Sequence, residues 1–132
     1  IRNPSRVHGG SAFGPKPHLY NLKVNKKVKL LAKKSALSIK ISSNSYKIID
    51  QFDMNSNKTK DFIKILKNLN IEENKVILIT GEENNNLYLS SRNLEKINLV
   101  NVATLSTYDI MNSNFLLADK SSVEYLNENY TK

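Results

Sequence analysis

The chain has no cysteine, no tryptophan and no long apolar segment among its 132 residues. Without cysteine it can form no disulfide scaffold, no thiolate metal site and no cysteine nucleophile. Its longest apolar runs, residues 76–79 and 115–118, fall far short of the ~20 residues that a membrane-spanning helix needs. With 39% hydrophobic and 24% charged residues, the composition is that of a globular protein, and we expect no membrane partner.

Acidic residues are absent from the first forty positions, which hold ten Lys and Arg. Residues 41–132 carry the other ten bases and all twelve acids, so the net charge of +8 is the sum of +10 and −2. A basic segment without compensating acids is typical of proteins that bind polyanions. The alternative is a solvated basic face.

Proline and glycine are concentrated at the start of the chain. All three prolines and three of the four glycines lie within residues 1–24. At this density they exclude a helix and disfavour a long strand. We therefore predict two parts, an extended basic arm over residues 1–24 and a globular domain over residues 25–132.

A helix is expected to begin at Asn25, because asparagine is a good N-cap. Apolar and small side chains then follow at helical spacing and form one stripe, which consists of Val28, Leu31, Ala32, Ser35 and Ile39. Leu30 and Leu37 fall among the lysines on the other side. Either this helix is contacted on two sides, or its lysine face is itself an interface.

Strand and helix patterns alternate after residue 45. Strands are predicted at residues 46–49, 75–80, 97–103 and 114–118. Helices are predicted at residues 56–69, 106–111 and 121–130, with a short helix or turn at 87–94. The nearly continuous apolar run at 75–80 is typical of a strand buried on both faces of a parallel sheet. The last two helices have capping-box spacings, Ser106 with Asp109 and Ser121 with Glu124. These patterns predict an α/β fold with a mostly parallel four-stranded sheet flanked by helices.

Few residues could carry out catalysis. In parallel sheets ligands bind beyond the carboxyl ends of the strands, where Asp50 and Asp53 could hold a metal or form an acid pair. No phosphate-binding glycine motif accompanies them, and both histidines, His8 and His18, fall in the arm. We expect no catalytic residue, metal, cofactor or small-molecule substrate. A small α/β enzyme or phosphoacceptor domain with a basic tail, using Asp50 or Asp53, stays open as an alternative.

Arg92 is the only arginine outside the arm in a chain that otherwise uses lysine. Arginine suits a planar, bidentate contact with a phosphate or a carboxylate, and Asn93 adds an amide beside it. We interpret the pair as a second, smaller anion contact. The alternative is a helix-end arginine paired with Glu82 or Glu95.

Short motifs occur along the whole chain, at residues 9–10, 13–17, 23–28, 35–38, 58–60, 79–82 and 91–94. In this order and spacing they resemble the bacterial large-subunit ribosomal protein four family. His18-Leu19 replaces the family's usual Arg-Asp, and residues 6–8 replace a more aromatic or basic stretch. Family members begin with a first strand, a helix and most of a long basic loop. The resemblance implies that this chain corresponds to the C-terminal part of the family's length, about two thirds of it. We therefore expect an open sheet edge and exposed apolar surface.

The resemblance implies a structural protein without catalysis that binds rRNA and supports assembly of the large ribosomal subunit. Its partners would be large-subunit rRNA and neighbouring large-subunit ribosomal proteins. The expected location is the cytoplasmic ribosome, and an organellar ribosome stays open as an alternative. An RNA-binding module that acts outside the ribosome is the other alternative. The candidate rRNA-binding residues are Arg2, Arg6, His8, Gly9, Gly10, Lys16, His18, Lys23, Asn25, Lys26, Lys27, Lys29, Lys33, Lys34, Arg92 and Asn93.

Overall fold

A computed structural model describes residues 2–52, 54 and 56–130, so the candidate Asp53 lies outside the described residues. Helices and strands alternate in it from residue 26 onward, as the sequence predicts. The elements are α1 (Lys26–Ser42), β1 (Tyr46–Ile49), α2 (Thr59–Asn68), β2 (Val76–Thr80), α3 (Asn85–Ser91), β3 (Ile97–Asn101), α4 (Thr107–Asn112), β4 (Phe115–Asp119) and α5 (Lys120–Tyr130).

The four strands form one sheet in the order β1-β4-β2-β3. All three strand pairs are parallel, so the predicted fold class is confirmed. Every residue of β2 is buried, because this strand lies inside the sheet and both of its faces are covered. β1 and β3 are the two edges of the sheet.

Helices cover both faces of the sheet, which gives the domain three layers. On one face, Phe62 and Leu66 of α2 and Leu87 of α3 pack against Leu78 of β2. The opposite face packs against α1, α4 and α5 through a second cluster, which contains Ala36, Ile77, Ile79, Val102, Leu105, Ile110, Leu116 and Ala118. The two clusters take alternate residues of β2, as the period of two in a strand requires.

Side-chain caps set the ends of the shorter helices. The Ser106 hydroxyl accepts a hydrogen bond from the Asp109 N–H (3.1 Å), and the Asp109 carboxylate accepts one from the Ser106 N–H (3.2 Å). The capping box predicted for α4 is therefore confirmed. At α3 the Asn84 side chain accepts from the N–H groups of Asn86 and Leu87, and this cap starts the helix two residues earlier than the apolar pattern suggests.

The cap predicted for α5 is wrong. Asp119, the last residue of β4, caps this helix in place of Ser121: its carboxylate accepts from the Ser122 N–H (2.7 Å), from the Ser122 hydroxyl and from the Gly81 N–H (3.1 Å). Burial alone would raise the pKa of the Asp119 carboxyl, but the hydrogen bonds from Ser122 and Gly81 outweigh it and hold that pKa below 3.8. One buried carboxylate thus joins the ends of β2 and β4 to the start of α5.

The apolar stripe of α1 predicts the side that packs on the domain, but a different side of the helix makes this contact. Ala36 is its buried residue, Leu37 packs against the same cluster, and the Lys40 ammonium donates to the Ser113 carbonyl oxygen. The stripe faces outward, and its Val28 and Leu31 are 53% and 66% exposed. Because Ala36 is small, α1 can approach α4 closely. The lysines beside it can line the contact with their apolar stems and keep their charges in water.

Candidate nucleic-acid interface

The basic segment ahead of α1 is exposed over nearly its whole length. Described residues 2–25 contain no helix or strand, and the four bases Arg2, Arg6, Lys16 and Lys23 are all exposed. Its apolar side chains are equally uncovered, with Phe13 89% exposed. A polyanion could therefore reach every one of these four cations without disturbing the sheet.

Residues 2–10 close into a compact turn. The Arg6 N–H donates to the Asn3 carbonyl oxygen (3.0 Å), and the Gly9 N–H donates to the Arg6 carbonyl oxygen (2.9 Å). A Cβ at Gly9 would lie 1.9 Å from the Asn3 carbonyl oxygen, and His8 has a positive φ of 60°. Gly9 is therefore required by the close approach of two backbone segments. The turn holds the backbone around Arg2, Arg6 and His8 in one conformation.

Gly9→Ala is expected to open this turn and to weaken RNA binding about fivefold, which corresponds to roughly 1 kcal/mol for ordering the loop again. The thermal midpoint should stay unchanged, because the turn contributes nothing to the core. Gly14→Ala is the matched control, since a Cβ at Gly14 meets no atom within 4 Å. Equal affinities of Gly9→Ala and Gly14→Ala for large-subunit rRNA in a filter-binding assay would contradict a role for the turn.

His18 is held by its neighbours. Its Nδ1 lies 3.1 Å from the Lys16 carbonyl oxygen, and its ring centroid lies 4.3 Å from that of Tyr20. The hydrogen bond and the ring contact give the imidazole of His18 a defined orientation. Lys16, His18 and Tyr20 are all exposed, so the two rings add an aromatic surface to the basic segment.

The cationic surface continues into the first turns of α1. Lys26, Lys27 and Lys29 are exposed, whereas Lys33 and Lys34 are half-buried. Within the described part of the chain, the side chain of Asn25 makes no capping hydrogen bond to α1. Its amide is therefore not committed to the helix and is placed beside the exposed lysines.

Arg92 and Asn93 are exposed at the end of α3. The Arg92 guanidinium carbon lies 5.9 Å from the centroid of the Tyr88 ring. Among the residues that the structure describes, Arg92 forms no ion pair with Glu82 or Glu95, so the helix-end pairing considered as an alternative is wrong. Arg92 follows α3, which packs on the face of the sheet opposite the one that contacts α1.

An acidic crevice of about 600 Å³ lies at the carboxyl ends of β1, β2 and β4. Its charged lining residues are Asp50, Glu82, Glu83, Asp119, Glu124 and Lys120. In residues 2–52, 54 and 56–130, no group of three or more His, Cys, Asp or Glu is arranged to hold a metal ion. Five carboxylates against one ammonium repel phosphates, so this crevice does not suit a polyanion. Sequence reasoning named Asp50 here but missed Asp119, because Asp119 follows an apolar strand without any motif.

In the described ranges, none of the helices combines the length and apolarity needed to cross a bilayer.

Comparison with known proteins identifies the family. The model of the ribosomal protein L4/L1 family matches residues 1–129. The chain is 45% identical to the large ribosomal subunit protein uL4 of Parabacteroides distasonis over 130 residues, 98% of this chain and 62% of that protein. It is 43% identical to the protein of the same name from Flavobacterium johnsoniae over 132 residues, 100% of this chain and 63% of that protein. The chain thus spans about three fifths of the length of these relatives, and it belongs to the ribosomal protein L4/L1 family.

Proposed function

We propose that the chain is a structural, non-catalytic component of the large ribosomal subunit that binds rRNA and supports assembly of the subunit. The observation that carries the proposal is the segment of forty residues with ten bases and no acid, whose first seven bases, through Lys29, are all exposed. Relatives named as large-subunit proteins support it. The ribosome of the cytoplasm is the proposed location.

The proposed contacts divide into two surfaces. The main one runs through the turn at residues 2–10, the irregular residues 11–25 and the first turns of α1, where exposed lysines and arginines meet phosphates. Folded RNA is recognised mainly by its shape, phosphates and 2′-hydroxyls, and an irregular backbone with glycines can follow such a surface closely. Arg92 and Asn93 provide the second, smaller contact. Neighbouring large-subunit proteins are proposed as further partners.

A comparison of the affinities for large-subunit and small-subunit rRNA distinguishes this proposal from a general RNA-binding role. Transcripts of equal length are taken from large-subunit and small-subunit rRNA of Parabacteroides distasonis and titrated with the full chain at one salt concentration. We expect at least a tenfold preference for a large-subunit transcript, because specific RNA binding exceeds the sequence-independent phosphate term. Equal affinities for all transcripts would favour a module that acts outside the ribosome.

Arg92→Lys keeps the positive charge but removes the planar guanidinium. If Arg92 makes a bidentate contact with a phosphate, the substitution should weaken rRNA binding by about 1–2 kcal/mol, roughly five- to thirtyfold. Tyr88→Leu is the companion variant, because it removes the ring under the guanidinium and leaves Arg92 in place. Wild-type affinity of Arg92→Lys, measured by filter binding, would show that the guanidinium serves only the contact with Tyr88.

A further inference from the structure

The acidic crevice at the carboxyl ends of β1, β2 and β4 differs in charge from the chain around it. The chain has a net charge of +8, whereas the five carboxylates and one ammonium that line the crevice give it a charge of −4. A cleft lined mainly by charges of one sign concentrates their field between its low-dielectric walls. The crevice therefore attracts cations, although the chain as a whole repels them.

Most of the carboxylates in the acidic crevice are available to an external donor. Neither of the two ion pairs formed among the described residues involves a residue of the crevice. Asp119 is buried and already accepts hydrogen bonds from Gly81 and Ser122. The other four carboxylates are exposed, and they belong to Asp50, Glu82, Glu83 and Glu124.

The hydroxyl of Thr80, the last residue of β2, points to a ligand in the acidic crevice. Thr80 is only 6% exposed, and its hydroxyl has no hydrogen-bond partner among the described residues. Every fully buried side-chain nitrogen and oxygen atom in those residues does have a partner, so the Thr80 hydroxyl reaches the open space of the crevice that Thr80 lines. Buried polar groups are normally hydrogen-bonded. A ligand with N–H donors would supply the missing partner.

Hydrogen bonds between the surrounding elements fix the walls of the acidic crevice. The Asn86 side chain at the start of α3 donates to the Met54 carbonyl oxygen (3.0 Å), in the segment that follows β1. On the other side, the Asp119 carboxylate joins the Gly81 N–H after β2 to the start of α5. A Cβ at Gly81 would collide with the Ser121 hydroxyl, so these two segments are in direct contact. A preformed site loses little free energy in ordering itself around a ligand.

The chemistry of the acidic crevice decides between the possible occupants. Its charge opposes phosphates, and the described residues contain no group of three or more His, Cys, Asp or Glu arranged to hold a metal ion. Its volume of about 600 Å³ lies within the usual range of ligand sites and has room for an organic cation. A guanidinium has five N–H donors and no acceptor, so it can bond to exposed carboxylates and to the Thr80 hydroxyl at the same time.

We propose that the acidic crevice binds an arginine-bearing extended segment of another protein. One arginine side chain enters the crevice, where its guanidinium donates to the exposed carboxylates and to the Thr80 hydroxyl. The inference rests on the proposed function in one respect, that the partner is a neighbouring protein of the large subunit. It adds the surface that this partner contacts, which is separate from the basic surface proposed for rRNA.

Titration of a labelled hexa-arginine peptide with the full chain at low salt, followed by fluorescence anisotropy, tests the proposal. The double variant Glu82→Gln/Glu83→Gln should bind the peptide about fivefold more weakly than the wild type, or weaker still. Glu72→Gln/Glu73→Gln is the matched control, because it removes the same charge from the loop before β2, at the opposite end of that strand, and it should bind like the wild type. Equal losses in the two double variants would show that the peptide responds only to net charge, and would overturn the proposal.

Thr80→Val tests the contact inside the crevice, since valine keeps the branched shape and removes the hydroxyl. It should weaken binding of the hexa-arginine peptide by about three- to tenfold. The thermal midpoint should not fall, because the hydroxyl has no partner to lose within the described residues. Unchanged affinity of Thr80→Val, or equal affinity of the wild type for a hexa-lysine peptide, would overturn the proposal of a guanidinium site.

Affinity for large-subunit rRNA separates this test from a test of the proposed function. None of the crevice variants should bind rRNA more weakly than the wild type, because they remove no cation. A failure of the proposed function would instead appear as equal affinities of the wild-type chain for large-subunit and small-subunit transcripts. A crevice variant that loses rRNA affinity together with peptide affinity would overturn the proposal of a separate peptide site.

Discussion

Deletion of residues 1–24 is expected to lower affinity for large-subunit rRNA by roughly a hundredfold or more near 0.1 M salt. The deletion removes four exposed cations, Arg2, Arg6, Lys16 and Lys23. If about six bases of the full chain meet phosphates, the logarithm of affinity should fall with the logarithm of salt at a slope near −4 to −5, since each phosphate contributes ~0.7–0.9. The deletion should reduce that slope to about −2.

Filter binding over a range of salt concentrations measures both quantities. Adding Lys26→Gln, Lys27→Gln and Lys29→Gln to the deletion should remove most of the remaining slope. The control is a triple variant of the full chain, with glutamine at the exposed lysines 75, 96 and 120; it removes three charges that lie outside the proposed interface. A deletion that keeps the slope of the full chain, or a control that loses it, would contradict the assignment of affinity to this segment.

Asp119→Ala is expected to lower the free energy of unfolding by about 2–4 kcal/mol. The substitution removes the acceptor of the Gly81 and Ser122 N–H groups. Asp119 is only 8% exposed, so its site is buried. A buried donor left unpaired costs about 1–3 kcal/mol, and the start of α5 also loses its negatively charged cap. Asp50→Ala is the control in the same crevice. Because the Asp50 side chain is exposed, this substitution should change the free energy of unfolding only slightly.

The stabilisation from Asp119 should depend on pH in one direction. Because its pKa in the folded chain lies below 3.8, the carboxylate contributes its full stabilisation above the pKa of the unfolded chain. That contribution is lost as the pH falls through the lower folded value. In denaturant titrations the difference between wild type and Asp119→Ala should therefore be constant from pH 5 to 7 and shrink below about pH 4. A difference that persists unchanged at pH 3 would show that the carboxylate charge is unimportant.

Much of the fold can be predicted from the sequence because local patterns and tertiary structure agree there. The apolar run of β2 marks a strand inside a parallel sheet, and the spacing of Ser106 and Asp109 marks the start of α4. The sheet order, with β4 between β1 and β2, is not encoded in any local pattern. It depends on which strands pack together after the helices have formed.

Two predictions, the packing side of α1 and the cap of α5, are wrong because they depend on contacts between residues that are distant in the sequence. In α1, Ala36 and Leu37 pack on the domain, although the Val28–Ile39 stripe is more apolar, because a small residue allows the closer helix contact. At α5, Asp119 replaces Ser121 as the cap, and its carboxylate also accepts from the Gly81 N–H just after the neighbouring strand β2. Both choices depend on residues far apart in the chain.

The candidate interface is only partly visible in the sequence. The absence of acids from the first forty residues locates it, since charge patterning needs no knowledge of the fold. The need for glycine at position 9 becomes clear only when the Asn3 carbonyl oxygen is seen beside it. Likewise, the retained Arg92 suggests an anion contact, but the structure is needed to show that neither Glu82 nor Glu95 neutralises it.

Sedimentation of the tagged full chain with ribosomal subunits tests the central claim most directly. The chain is produced in Parabacteroides distasonis, and the lysate is separated on a sucrose gradient at a magnesium concentration that dissociates the two subunits. The account predicts that the chain migrates with the large subunit and that the chain without residues 1–24 stays largely at the top of the gradient. Wild-type chain found only at the top, or distributed equally between both subunits, would contradict it.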